Sequence, residues 1–154
     1  MFQIHALPRA AFADLFALDD VALAARGAVR RIADATGGFP CRISLIDAAP
    51  GEELILTNYE HQDAASPFRA SHAVYVRVAA EEAHPAPSEV PSQLRTRMLS
   101  LRAFDAAGMM LDFELIDGRA IETGIARLLA DPATAYLHAH FAGPGCYAAR
   151  IDRG

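Results

Sequence analysis

Two short turns near the C-terminus, Ala106-Ala107-Gly108 and Gly143-Pro144-Gly145, constrain this chain more than any other feature. Each is flanked by residues that alternate apolar and polar. A hairpin with such flanks has one register that keeps its apolar side chains together, because a one-residue slip turns them to the wrong face. In "LSLRAFDAAGMMLDFEL" a three-residue loop pairs Ala103 with Leu111 and Leu101 with Phe113, with Gly108 left-handed and Asp105 opening the turn. Arg102 then lies opposite Asp112, and Ser100 opposite Glu114. In "YLHAHFAGPGCYAAR" the same reasoning pairs Ala142 with Cys146, His140 with Ala148 and His138 with Arg150. Tyr147, Ala149 and Ile151 join Leu137, Ala139 and Phe141 on the apolar face. The other face collects Tyr136, His138, His140, Cys146 and Arg150.

The rest of the chain reads as short elements. "FQIHAL" is a first strand, and Pro8 opens a short helix with Phe12, Leu15 and Phe16 on one side. Asp19–Asp20 cap a second helix, which Gly27 ends. Strands are expected over "AVRRIADA", "CRISLI" (41–46), "ELILTNYEH" (53–61) and "HAVYVRV" (72–78). Residues 79–92 hold three prolines and form an exposed loop. A helical turn follows at "SQLRTR", and Asp117 caps a longer helix over 118–130 with Ile121, Ile125, Leu128 and Leu129 on its apolar side. Consecutive strands joined by tight turns argue for a single α+β domain spanning residues 1–154. Its sheet is mainly antiparallel and bent, with open barrel-like closure as one arrangement.

Composition narrows the function classes. At 154 residues, 53% hydrophobic and 21% charged, the chain is expected to fold around one core. All 14 basic residues are arginine, so Schiff-base lysine chemistry and a P-loop lysine are excluded. The net charge is −5 and no basic stripe is visible, which argues against nucleic acid as a partner. No apolar run is long enough for a membrane span and no leader is apparent, so a cytoplasmic protein is expected.

The histidine-bearing face admits several chemistries. Bidentate Arg150, helped by Arg42 or Arg69 from other strands, suits a small polar or anionic molecule held with Tyr136, His138 and His140. As a metal site it offers His138, His140 and Cys146, and zinc accepts both donor types. A further ligand would come from His61, His72, Glu60 or Cys41. As a catalytic face it offers His138 or His140 as acid–base group and Cys146 as nucleophile. The rival reading is a structural or homodimeric interaction module in which these groups pair internally. Elsewhere, His61 is a lesser acid–base candidate and His72 reads as a strand-edge residue.

"GFPCRISL" (38–45), "SPFRASHAVYVR" (66–77), "MLSLRAFDAAGMM" (98–110) and "YLHAHFAGPGCYAAR" occur in this order over most of the chain. In them the sequence resembles a bacterial family known as domain of unknown function 1203. The resemblance implies a small single-domain bacterial protein. It brings no activity, cofactor or catalytic residue.

Overall fold

Turn residues and apolar patterning divide the chain into eight strands and four short helices. In order these are β1 (Phe2–His5), α1 (Ala13–Phe16), α2 (Asp20–Ala25), β2 (Val29–Ile32), β3 (Glu53–Gln62), β4 (Ala70–Arg77), α3 (Ser92–Arg95), β5 (Met98–Phe104), β6 (Met110–Asp117), α4 (Ile121–Leu129), β7 (Tyr136–Phe141) and β8 (Tyr147–Arg153). The computed structural model describes residues 1–154. Helix α2 starts where Asp19 accepts a hydrogen bond from the Ala22 N–H at 2.8 Å. It ends at Gly27, whose φ of +70° a side chain would disfavour. Asp19→Ala should lower stability by about 1 kcal/mol, read from the thermal midpoint.

The fold is α+β. Five strands form one sheet in the order β1-β8-β7-β5-β6, and three form another in the order β2-β3-β4; neither closes into a barrel. Two compact units are distinguished. The first comprises Met1–His5, Glu60–His72 and Pro85–Gly154, and the second comprises Ala6–Tyr59 and Ala73–His84.

In the first unit the sheet has two dissimilar faces. One buries Leu99, Leu101, Ala103, Leu137 and Ala139, with α4 lying across β5, β6 and β7. The helix contributes buried Ile121, Ile125 and Leu128. Burial of each such side chain stabilises by about 1.5–3 kcal/mol. Close approach is possible because residue 124 is glycine. A Cβ there would meet Leu101 Cδ1 at 2.9 Å and Ile116 Cδ1 at 3.0 Å.

The second unit holds β2 and the inner parts of β3 and β4. Its core includes Ala33, Ala48 and Leu54, packed with Phe39 and Tyr75. "CRISLI", expected as a strand, is instead a compact turn. The Leu45 N–H donates to the Cys41 carbonyl at 3.1 Å, Leu45 takes φ +53°, and Pro40 bridges Asp47. Cys41 to Leu45 are all buried, and a segment enclosed on every side carries no period to reveal its conformation.

Both C-terminal hairpins form, and each contains a bulge that strict alternation hides. In β5–β6 the turn is as expected: Asp105 N–H donates to the Met109 carbonyl, Gly108 has φ +79°, and Phe104 pairs with Met110. Beyond it Ala103 pairs with Asp112, not Leu111, so Leu111 is the extra residue. Arg102 therefore pairs with Phe113, and Leu101 with Glu114. Phe113 and Leu115 change faces. The compensation lies on the helix side, where Arg127 of α4 reaches Glu114 at 2.6 Å and Asp112 at 2.8 Å.

In β7–β8 the expected pairing of His138 with Arg150 is present. Nearer the turn, Phe141 N–H donates to the Cys146 carbonyl at 2.9 Å, and His140 pairs with Tyr147. Ala148 is the extra residue. Tyr147 thereby joins the histidines instead of the apolar face, and Cys146 lies opposite Phe141 instead of Ala142.

Candidate metal centre

The polar face of the five-stranded sheet is assembled by register. Pairing across β7, β5 and β8 places Ser100 beside His140, Arg102 beside His138, Phe104 beside Tyr136, and Arg150 beside His138. The ends of β3 and β4 come to the same place through the segment that joins them. Ser66 Oγ donates to the Gly108 carbonyl at 2.9 Å. A Cβ on residue 108 would stand 2.3 Å from the Ala64 Cβ, so this contact needs glycine as much as the turn does.

His61 is thereby set against His138 and His140, with ring centroids 5.4 Å and 5.1 Å away. One ligand atom from each of these three histidines lies within 4.8 Å of the others, so together they could hold a metal ion. Tyr147 stacks on the His61 ring at 4.7 Å, and His72 stacks with His61 at 4.8 Å. His138 is 1% exposed and His140 0%.

Hydrogen bonding gives the cluster its chemistry. His140 Nδ1 lies 3.0 Å from the Gly145 carbonyl. A carbonyl only accepts, so Nδ1 carries the proton and Nε2 presents a lone pair. That Nε2 is buried and meets no partner. His61 Nε2 lies 2.6 Å from His72 Nδ1. One of the two rings donates in that bond, and in the tautomer in which His61 donates its Nδ1 is an acceptor; this Nδ1 is also buried without a partner, as is His138 Nδ1. Such outer hydrogen bonds orient metal-bound imidazoles.

The histidines are held neutral. Burial is the main cause and pushes His138 down to about 3, helped by the charges of His61, Arg150 and Arg102. Burial and then Arg102 push His140 down to about 2, while its bond to Gly145 works the other way. His61 is pushed down to about 4 by burial, then by His72 and Arg102. Neutral imidazole is the form that binds metals.

The remaining candidates are placed as follows. Tyr136 is buried beside this cluster and its hydroxyl donates to Gln62 Oε1 at 2.9 Å. Since Gln62 Nε2 is already without a partner, Tyr136→Phe should cost about 1–2 kcal/mol in urea unfolding. Arg150 stacks over the Tyr136 ring at 4.0 Å and is paired with Asp152. Arg69 is exposed and grips Glu60 through two bonds of 2.9 and 2.8 Å. Arg42 is buried in the second unit, where its guanidinium donates to the Pro40 carbonyl. Neither Cys41 nor Cys146 forms a disulfide.

Local pattern alone gives His61 a minor role, makes His72 a strand-edge residue and puts Arg102 on a polar strand face with no assigned role. His61 and His72 flank one turn at strand ends, and that shared position was the available signal. Arg102 gave none, because its neighbour His138 is supplied by a strand distant in sequence.

Fold and site define an α+β protein with a buried histidine cluster on one face of its antiparallel sheet. The chain belongs to the family described as "Protein of unknown function (DUF1203)", whose model matches residues 38–153. All four clustered histidines fall within that span. No curated protein and no solved structure matches the chain.

Proposed function

We propose that the protein holds a divalent transition metal, zinc first, between His61, His138 and His140, and presents it to a small polar or anionic molecule. The observation that carries this reading is the set of three buried ring nitrogens without partners: His61 Nδ1, His138 Nδ1 and His140 Nε2. A buried polar atom left without a hydrogen bond costs about 1–3 kcal/mol, and three in one cluster are hard to account for in a purely structural core. Zinc takes imidazole nitrogens at about 2.0–2.1 Å in tetrahedral array. One ligand atom from each ring already lies within 4.8 Å of the others, on three strand positions. Three protein ligands leave one position for a substrate atom, the pattern of catalytic rather than structural zinc. Imidazole also suits copper, iron and nickel, so the ion should be identified by analysis.

The test is elemental analysis of untagged protein purified without chelator, beside a His138→Ala/His140→Ala variant whose fold is checked by circular dichroism. Near-unit metal in the parent and none in the folded variant is the expected result. A metal-free parent that also takes up none on dialysis against zinc, copper, iron or nickel would sink the reading.

A further inference from the structure

Arg102 stands apart from the protein's other arginines near this face. Its side chain has a single polar partner, Ser100 Oγ at 3.4 Å, and it joins no ion pair. It is half-buried between two unlike neighbours. On one side is His138; on the other is Phe113. Phe113 and, two pairs along, Leu115 are 68% and 65% exposed although they share this face. The histidine part of the face is covered and the β6 part is open, with the uncompensated charge at the border. An unpaired, partly desolvated guanidinium is unfavourable and recruits an anion; its planar fork fits a carboxylate. Exposed Phe113, in register with Arg102, and Leu115, opposite Ser100, offer apolar surface to whatever the anion carries.

We propose that Arg102, with Phe113 and Leu115, binds a small amphipathic carboxylate. Its head is held by the guanidinium and its hydrocarbon body lies over β6. This goes beyond the metal reading and does not depend on it, because the contacts are to Arg102 and β6 and not to the ion. With the head at Arg102 the carboxylate stands next to His138, the position from which it would also meet a metal held there.

The test uses the full chain, metal-free, in calorimetric titrations with acetate, butanoate, hexanoate, octanoate and octan-1-ol. Affinity should climb from acetate to octanoate, and octan-1-ol should bind far more weakly than octanoate. Arg102→Gln should weaken octanoate about tenfold or more. Phe113→Ser, a change at an exposed position, should weaken it about threefold or more and leave acetate unaltered. Absence of octanoate binding, an unchanged affinity in Arg102→Gln, or octan-1-ol binding as tightly as octanoate would each overturn the proposal. So would sedimentation showing a dimer of this chain that Phe113→Ser dissociates and octanoate does not. Failure of zinc uptake leaves these titrations untouched, so the two readings fall separately.

Discussion

Zinc added to the metal-free protein is expected to raise its stability by about 4 kcal/mol once the free ion reaches a thousand times its dissociation constant. This follows from linkage if only the native fold brings the three ligands together. His61 lies at the end of β3, while His138 and His140 lie on β7, so an unfolded chain offers no comparable site. The gain should appear as a rise in the urea midpoint with the slope unchanged, since the surface exposed on unfolding is the same. His140→Ala should abolish the gain, because it removes the one ligand whose tautomer is fixed by the Gly145 carbonyl. His72→Gln should leave part of it, since a glutamine amide can still hydrogen-bond His61 Nε2. If both variants respond to zinc as fully as the parent, the ion binds elsewhere.

Acid destabilises the metal-free protein in a window set by the same three groups. In the unfolded chain each histidine titrates near 6.5; in the fold they remain neutral to about 4 for His61, 3 for His138 and 2 for His140. Below about pH 6.5 the unfolded chain therefore binds protons that the fold refuses. Stability is full above that pH and falls as acidity increases, by about 1.4 kcal/mol per pH unit for each histidine kept neutral. His138 and His140 are fully enclosed and should together give a slope of roughly 3 kcal/mol per unit between about pH 6 and 4; His61, less enclosed, adds less. Urea unfolding at about pH 7, 6 and 5 measures the slope. His138→Leu should remove close to half of it. A flat profile would mean that the rings are solvated in the fold.

How far the sequence could be read is clearest at the two hairpins. The turn of β5–β6 and the pairing of His138 with Arg150 follow from alternation, and so does the convergence of Tyr136, His138 and His140, whereas the β7–β8 turn is one residue longer than expected, with Phe141 opposite Cys146. What alternation cannot show is a bulge. One extra residue at Leu111 exchanges the faces of Phe113 and Glu114, and one at Ala148 does the same for Tyr147. Both bulges are stabilised by partners remote in sequence: Arg127 for the first, and the stacked His61 ring for the second. The third histidine was hidden for a related reason. Strand order places β7 beside β5, His61 at the β3 end meets the β7 histidines, and nothing local to "NYEH" encodes that neighbour. Apolar burial on all sides likewise masked the turn at Cys41–Leu45.

The chain separation between His61 and the β7 histidines carries a kinetic consequence. Contacts of high sequence separation form late, after the local hairpins, because loop closure must precede them. A metal bound by all three rings would therefore add nothing to the folding transition state and would act on the native state alone. Such an ion lengthens the lifetime of the folded protein while leaving the rate of refolding as it was, and it behaves as a latch fastened after assembly.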